Sequence, residues 1–550
     1  MKRILFSGII AVTLLQFTIA NGQTCYWVSF TDKSGTPFSL DFPEDFLSQR
    51  ALERREKQNI TVDSLDLPVN PDYIEQVLGL DAELVHSSKW LNGITVRTCR
   101  DSFPEKALQL DFVSEVELTK TTINNKSAVN KFLDPFAPGQ LLEIDTTLYG
   151  MSAYQISQIN GQFLHNQDYK GQNMQIAVLD AGFYNADQYP AFDSLWHDGR
   201  VLGTRDFVYP GSDVYKNNYH GMSVLSIMAG NKHGQLIGTA PKASYWLIRT
   251  EDINSEFLIE EDNWVAGAEF ADSVGVDIIN SSLGYFIFDD STMNHTYSDM
   301  DGHTTRVTKA ANIAASRGIL VFASAGNEGN KNNDWKYIIA PSDGDSVIGV
   351  GAVNKEGVAA PFTSYGPSSD NEVKPNITAM GWNTVVQKSN GTFGTGNGTS
   401  YSSPVMAGIA ACLWQANPNA TASQIKLAIE KSAHLYINPD SLLGFGIPDM
   451  MIADQILKTT LLDHYETHAN WLVYPNPADD YLILQKHSRT AFGQVRITFY
   501  SLEGKVLRQE HRPDASRIIL RGLNKFQQGI LLLQIISENT KETVKIRKIP

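Results

Sequence analysis

Three polar residues stand where apolar segments begin or end, and their side chains are of the types that nucleophilic chemistry needs. Asp180 ends the apolar run IAVLD, and His220 opens the segment HGMSVLSIMAG. Ser400 lies in GTGNGTSYSSPVMAG, where Gly396 and Gly398 allow a tight turn before a helix of small residues. A serine nucleophile needs a base to take its proton, and that base needs a third group to fix its tautomer. The three residues therefore predict a serine, histidine and aspartate triad.

Each of these residues has an ordinary interpretation when it is taken singly. An aspartate after an apolar strand is often a helix cap. His-Gly is weak evidence in a chain with 12 histidines, and Gly-Thr-Ser is a common tripeptide. The order Asp180, His220, Ser400 is more specific because the flanking residues agree with it. IAVLDAG, HGMSVLSIMAG and GTSYSSPVMAG, with Pro404 and Gly408, resemble the three catalytic segments of the subtilase family of serine peptidases.

Further segments extend this resemblance over about residues 150 to 460. SSLG at 281–284 resembles the backbone segment that pairs with substrate, and ASAGNEG at 323–329 resembles the oxyanion-hole segment containing Asn327. YIIAPSDGDSVIGVGAV resembles the base of the specificity pocket, with Ile339 near its floor and no acid evident there. We therefore expect apolar residues before the cleaved bond. The substrate-binding residues that the resemblance implies are Ser282, Leu283, Gly284, Ala323, Ser324, Ala325, Gly326 and Ile339.

The resemblance implies hydrolysis of peptide bonds through an acyl-enzyme on Ser400. His220 would act as general base and then as general acid, Asp180 would orient it, and Asn327 would stabilise the oxyanion. This chemistry needs no metal. DMDG at 299–302 hints at calcium but lacks the rest of an oxygen-rich loop. We interpret it as a solvated turn and expect no cofactor.

The chain departs from the family pattern beside its catalytic residues. Ala181 stands where Ser or Thr is usual, Met222 and Ser223 replace Thr and His, and Ser402 replaces Ala. None of these changes removes a group that transfers a proton. They therefore bear on fine tuning of the activity and not on its presence.

The composition predicts a globular chain of several domains that does not bind nucleic acid. The 550 residues exceed what one ordinary core holds, and 42% hydrophobic with 19% charged residues is typical of folded proteins. The formal net charge of -15 repels phosphate backbones. The three cysteines are Cys25 and Cys99, which could pair after export, and Cys412, which lies in an apolar helical run.

Residues 1–22 have the pattern of a secretory signal peptide. Lys2 and Arg3 precede an apolar stretch that is short for a bilayer, and Ala20 and Gly22 supply small residues for cleavage. The alternative is a membrane anchor. Cys25 does not make the segment a lipoprotein signal, because Gly22-Gln23-Thr24 fits that motif poorly.

The rest of the chain divides into four segments by its hydrophobic patterns. Residues 23–118 predict a small α/β module, with a helix over PEDFLSQRALERREKQ and a second over PDYIEQVLGL between strands CYWVSF, GITVRTC and VSEVEL. Residues 119–150 lack periodicity and are interpreted as a linker with a processing site. Residues 151–460 alternate continuous apolar runs with helical stretches, which predicts a three-layer α/β sandwich with a mainly parallel sheet. Residues 466–550 predict a small β-sandwich of short alternating strands.

Resemblances of the flanking segments imply how the enzyme is controlled and exported. Residues 23–118 resemble subtilase propeptides, which assist folding and inhibit the active site from within the chain. VYPNPADDYLIL, FYSLEGKVL and GILLLQIIS resemble the C-terminal sorting domain of type IX secretion substrates in Bacteroidetes, although Leu531 stands where Tyr is usual. We therefore expect protein or peptide substrates, contact with a secretion machinery, and a location on the cell surface or outside the cell after passage across an outer membrane.

Two other functions remain open for this sequence. The chain could be a catalytically inactive relative that serves as a surface-binding module, or chiefly an adhesin that binds through its C-terminal sandwich. All triad positions are occupied, which argues against the first, and the sandwich has no obvious aromatic platform, which argues against the second.

Overall fold

The computed structural model of the chain describes residues 23–121, 147–330, 334–462, 471–486, 494–501, 504–513, 517–537 and 540–549. The predicted signal peptide lies outside the described residues, as do most of the predicted linker and the first residues of the predicted C-terminal sandwich. Among the described residues, no helix is both long and apolar enough to cross a membrane.

The N-terminal module is a four-stranded antiparallel sheet in the order β2-β3-β1-β4. Its elements are β1 (Thr24–Phe30), α1 (Gln49–Lys57), α2 (Pro71–Leu78), β2 (Ala82–Ser88), β3 (Gly93–Thr98), α3 (Phe103–Ala107) and β4 (Val113–Lys120). Cys25 is buried and Cys99 is exposed, and no disulfide joins them in the structure.

The prediction of one long helix from Pro43 was wrong. Residues Pro43–Asp45 form a separate short 3-10 turn, and α1 begins only after Ser48, whose side chain accepts a hydrogen bond from the Ala51 N–H. A serine N-cap fixes a new helix start, because it satisfies an N–H group that the first turn leaves without a partner. Strand β2 and helix α3 were not predicted, and β4 runs to Lys120, two residues into the predicted linker.

The central domain contains a seven-stranded sheet in the order β13-β12-β11-β10-β5-β9-β6, and every neighbouring pair is parallel. Its strands are β5 (Gln175–Asp180), β6 (Val201–Asp206), β9 (Ser244–Arg249), β10 (Ile278–Ser281), β11 (Leu320–Ser324), β12 (Ile348–Val353) and β13 (Ile377–Met380). Four short strands form two hairpins: β7 (Asn231–Lys232) with β8 (Leu236–Ile237), and β14 (Thr384–Gln387) with β15 (Phe393–Gly396).

Helices cover both faces of this sheet, which confirms the predicted three-layer sandwich. They are α4 (Ala153–Ser157), α5 (Gln162–His165), α6 (Asp193–His197), α7 (His220–Ala229), α8 (Ile259–Val274), α9 (Arg306–Ser316), α10 (Thr399–Ala416), α11 (Ala422–Ser432) and α12 (Met450–Leu462). Along β5, Ile176 and Val178 join the core with α7 and α10, whereas Ala177 and Leu179 join the core with α8 and α9. A strand buried on both faces has no polar side, which explains the continuous apolar run in the sequence.

The N-terminal sheet packs on α8 and α9, the outer layer of the central domain. Thr95 donates to Asp262 at 2.9 Å, Ser88 donates to Glu269 at 2.5 Å, and His86 contacts Asn263 at 2.7 Å. Asp262 and Glu269 of α8 therefore contact this module, and all the acidic residues of α8 are buried.

The C-terminal region contains two antiparallel sheets with a shared core, as predicted. One sheet has the order β16-β17-β20 and the other β19-β18-β21-β22. The strands are β16 (Trp471–Tyr474), β17 (Tyr481–Lys486), β18 (Gln494–Tyr500), β19 (Val506–Pro513), β20 (Arg517–Arg521), β21 (Gly529–Ser537) and β22 (Thr540–Lys548). Leu472, Tyr474 and Ile483 extend the core of the central domain, so this region packs against its neighbour.

Candidate active site

Asp180 and His220 form a buried hydrogen-bonded pair at the carboxyl end of β5. His220 Nδ1 lies 2.7 Å from Asp180 Oδ1, and the two residues are 2% and 0% exposed. The same carboxylate oxygen accepts the Ala181 N–H at 2.8 Å. His220 is the first residue of α7, and its N–H donates to Asn218 Oδ1 at 2.8 Å. The aspartate thus fixes the imidazole with Nδ1 as the donor, which leaves Nε2 for the base role.

Burial disfavours the ionised form of Asp180, and the contact with His220 favours it. Burial raises the pKa of Asp180 above its ordinary value, and the nearby Glu251 raises it further. The contact with His220 and the Ala181 N–H lower it. Oδ2 of Asp180 has no hydrogen-bond partner among the described residues, and the methyl group of Ala181 offers none. The charge of this carboxylate therefore depends chiefly on the imidazole.

Ser400 occupies the first turn of α10, behind a glycine that the backbone requires. Gly398 precedes the helix with φ of 149°, a conformation that side chains other than glycine rarely adopt. The Ser400 hydroxyl donates to the Ser282 carbonyl at 3.2 Å, and the Ser282 hydroxyl donates to the Ser400 carbonyl at 2.8 Å. These two bonds tie the start of α10 to the end of β10. The start of α10 also places backbone N–H groups and the positive end of the helix dipole beside Ser400.

Asn327 is oriented by the residue that precedes Ser400. Its Oδ1 accepts from the Thr399 N–H at 2.9 Å and from the Thr399 hydroxyl at 3.0 Å. The Thr399 hydroxyl also accepts the Gly326 N–H at 3.2 Å. A backbone N–H can only donate, so it selects the amide oxygen of Asn327. The two N–H groups of Nδ2 remain as donors, which is what an oxyanion needs.

These groups meet in one cleft of about 250 Å³. The residues predicted for the site that line it are His220, Ser282, Leu283, Gly284, Ser324, Gly326, Asn327, Ile339 and Ser400. Asp180 lies behind His220, as its contact shows. Ala323 and Ala325 do not line the cleft, because both lie in the core beneath α8 and α9. The side chain of Ile339 lies against Gly284 and Gly326, between the two segments expected to bind substrate.

The cleft also contains residues to which the sequence analysis assigned no role. They are Tyr219, Glu251, Glu256, Phe286, Ile287, Glu328, Lys388, Asn397 and Tyr401. Glu251 lies just beyond β9, so its position after a buried parallel strand could have indicated it. Its carboxylate accepts the hydroxyl of the buried Tyr285. Lys388 and Phe286 come from loops, and no periodic signal places them here.

Carboxylate groups close enough to share a cation occur at two places among the described residues. One group is Glu251, Glu256 and Glu260, and the other is Asp345, Asp370 and Glu372. The aspartates of DMDG at 299–302 belong to neither group, and their carboxylates accept hydrogen bonds from nearby backbone N–H groups. Asp299 accepts the Thr296 N–H at 2.7 Å, and Asp301 accepts the His303 N–H at 2.9 Å.

Models of known families match three segments of the chain. The model of the subtilase family, Peptidase S8, matches residues 171–446, about half of the 550 residues. The chain belongs to the subtilase family. The model of the Peptidase S8 propeptide domain of Bacteroidota matches residues 25–132, and that of the secretion system C-terminal sorting domain matches residues 472–548.

Curated subtilases resemble the same part of the chain. Subtilisin NAT of Bacillus subtilis subsp. natto is 31% identical over 307 residues, which cover 55% of this chain and 71% of that protein. Subtilisin of Bacillus pumilus is 31% identical over 307 residues, covering 55% of this chain and 98% of its own. The serine protease AprX of Bacillus subtilis is 29% identical over 319 residues, covering 52% and 66%.

The subtilase is therefore a subtilisin-like serine protease with a propeptide, and its sorting domain indicates export to the cell surface or the medium. These conclusions agree with the predictions from sequence.

The contacts of Thr399 predict that its hydroxyl positions the oxyanion donor. Thr399→Val keeps the shape and the backbone bond to Asn327 but removes the hydroxyl's bonds to Asn327 and Gly326, so we expect kcat to fall roughly tenfold with little change in KM. Thr399→Ser keeps the hydroxyl and is the matched control. Steady-state kinetics on one peptide substrate measures both. Equal rates for the Val and Ser variants would show that the hydroxyl does not position Asn327.

Proposed function

We propose that this subtilase cleaves peptide bonds within proteins through an acyl-enzyme on Ser400. The observation that carries the proposal is the buried Asp180–His220 pair at 2.7 Å, with His220 lining the same cleft as Ser400 and Asn327. A cleft-lining imidazole with its Nδ1 committed to a carboxylate is suited to accept a proton from a serine hydroxyl at Nε2.

Each residue of the proposed site has a separate task. Ser400 Oγ attacks the substrate carbonyl while His220 Nε2 takes the proton, and Asp180 offsets the imidazolium charge that forms. The Asn327 amide and the Ser400 N–H donate to the oxyanion of the tetrahedral intermediate. His220 then returns its proton to the leaving amine, and water repeats the sequence on the acyl-enzyme.

The sequence left two alternatives open, an inactive surface-binding relative and an adhesin, and membership of the subtilase family favours the enzyme over both. Hydrolysis of casein by the purified protein separates the first from the enzyme. Binding assays on the C-terminal sandwich test the second. The occupied triad positions and the intact hydrogen bonds around Asn327 favour catalysis.

The four catalytic positions are expected to matter unequally, because they do different work. Ser400→Ala and His220→Ala should each nearly abolish turnover, with a loss of about 10⁶ in kcat, as measured in the related subtilisin. Asp180→Asn should cost less, about 10⁴. Asn327→Ala should lower kcat by about 10²–10³ with little change in KM, because the oxyanion exists only near the transition state.

The measurement is steady-state kinetics of folded variants at equal concentration on one peptide, with the propeptide supplied separately where self-processing fails. Near-normal turnover by Ser400→Ala would refute the nucleophile. A change confined to KM in Asn327→Ala would refute the oxyanion role alone.

Specificity is proposed to come from the pocket above Ile339. This side chain is 7% exposed and lies between the Gly284 and Gly326 backbones, so it presents an apolar floor. We expect apolar residues before the cleaved bond to exceed Lys and Arg by roughly tenfold or more in kcat/KM. Profiling on a peptide library measures this, and dominance of basic residues would contradict it.

Ile339→Asp should shift the profile toward Lys and Arg, whereas the control Ile287→Asp, on the exposed wall of the cleft, should shift it less.

Processing is proposed to occur by self-cleavage within residues 119–150. The last described part of the propeptide supports this, because Lys120 Nζ donates to Ser255 at 3.3 Å, beside the cleft residue Glu256. The chain thus leaves the propeptide at the edge of the cleft. We expect mass spectrometry to find the mature N-terminus within the linker, and Ser400→Ala to stay uncut in a protease-free host. Cutting of Ser400→Ala at the same bond would disprove self-cleavage.

A further inference from the structure

Residues 48–58 of the propeptide, here called the arm, bind the central domain away from the cleft. The arm contains α1 and its caps, and it contacts the segments where α8 and α9 end and the chain enters β10 and β11. Gly275 and Gly318 terminate the two helices with positive φ. A Cβ atom on Gly275 would lie 2.7 Å from Ala51 N, and one on Gly318 would lie 2.5 Å from Gln58 Nε2. The arm therefore packs directly on the helix ends.

This contact lies at the opposite end of α8 from the catalytic site. The cleft is formed at the carboxyl ends of the parallel strands, and Glu256, just before α8, lines it. The other end of α8 leads into the amino end of β10. A helix of 16 residues spans about 24 Å. The arm thus binds a surface that substrate in the cleft does not reach.

Arginine side chains of the arm bind the carbonyl groups at these helix ends. Arg54 donates to the carbonyls of Val276 at 2.7 Å and Arg317 at 3.1 Å. Arg50 donates to the carbonyl of Gly275 at 2.9 Å and to Asp277 at 2.5 Å. Gly275 and Arg317 are the C-cap residues of α8 and α9 and Val276 follows Gly275, so these carbonyls lie at the negative ends of the two helix dipoles. Guanidinium groups are suited to this place because they offer several donors and a fixed positive charge.

Asp272 is the buried anion at the centre of this contact. Its side chain has no exposed surface, and it pairs with Arg54 at 2.5 Å, Arg55 at 2.9 Å and Lys89 at 3.0 Å. All three cations belong to the propeptide. Burial alone would raise the pKa of Asp272, but Lys89 and the two arginines hold it well below its ordinary value of 3.8. The charge of Asp272 is thus matched by the propeptide and not by the domain that carries it.

Arg54 allows a docking role to be tested apart from a role in folding the propeptide itself. Among the described residues, its polar contacts go to Asp272, Val276 and Arg317 of the central domain. Its side chain is 3% exposed. A buried guanidinium whose partners all belong to the other domain contributes to the contact between domains.

We propose that the carboxyl ends of α8 and α9, with Asp272 and Asp277, form a guanidinium-binding site separate from the cleft. The arm is its ligand, and it retains the propeptide on the enzyme after the linker is cut. This proposal goes beyond catalysis and does not depend on it, because the site holds none of the proposed catalytic residues.

The test uses the full chain with Ser400→Ala and a recognition sequence for a specific protease inserted in residues 119–150. The chain is held by a C-terminal tag, the linker is cut, and release of the propeptide is followed over time. We expect Arg54→Ala to increase the dissociation rate by about 30-fold or more, the low end of the cost of truncating a buried interfacial charge pair. Arg100→Ala is the matched control, because Arg100 is exposed and pairs with Asp81 within the propeptide.

A second set of variants covers the case in which Arg54→Ala does not fold. Arg50 is 35% exposed, so Arg50→Ala should fold and should increase the dissociation rate less than Arg54→Ala. Asp272→Asn, on the other side of the contact, should also increase the rate, and combining it with Arg54→Ala should add less than the sum of the two effects. Rates for Arg50→Ala and Arg54→Ala equal to that of Arg100→Ala would overturn the proposal. Because Ser400→Ala carries no nucleophile, that result would leave the catalytic proposal untouched.

Discussion

A carboxylate with no exposed surface ends the interior strand β5, and its charge requires a partner. The partner of Asp180 is the first residue of α7, so this helix must begin where His220 can reach the carboxylate. Gly221 follows directly, and a Cβ atom there would lie 2.8 Å from the Asp180 Cβ. The close approach of α7 to β5 therefore follows from burying the acid. Ser400 is placed by a second constraint, the reciprocal hydrogen bonds between α10 and the end of β10.

Much of this arrangement could be predicted, because the catalytic segments combine local chemistry with local structure. IAVLD is a strand buried on both faces, and its polar last residue must lie at the carboxyl edge, where functional groups of parallel sheets gather. The glycines before Ser400 indicate the turn that presents the hydroxyl. These signals depend on residues adjacent in the chain, and the structure places them as the sequence indicates.

Other features depend on contacts that no local pattern encodes. Ala323 and Ala325 fall in the segment expected to bind substrate, but side chains alternate along an extended segment, so Ser324 and Gly326 line the cleft and the alanines enter the core. The family resemblance identified which segment lies at the site, but it did not show which residues of that segment face the cleft. Lys388 and Glu256 lie far apart in sequence and line the same cleft only in the folded chain. The predicted start of α1 was wrong because the helical pattern from Pro43 onward does not reveal that Ser48 caps a separate helix.

The acidic residues of α8 show how one domain sets the environment of side chains in another. In sequence, DNWVAGAEFADSVG could be a helix with a solvated acidic face, yet Asp262, Glu269 and Asp272 are all buried. Partners from the propeptide, together with Arg306 of α9 beside Asp262, make this burial tolerable, because an uncompensated buried charge is strongly destabilising. The propeptide also contacts the edge of the cleft through Lys120, at the opposite end of α8 from the arm. Two contacts at opposite ends of one helix act on the same ligand, so holding the arm keeps the effective concentration of the propeptide near the cleft high after the chain is cut. If the linker is cut as proposed, cutting it and freeing the enzyme are separate events, and the proposed charge contacts at the far end of α8 lengthen the interval between them.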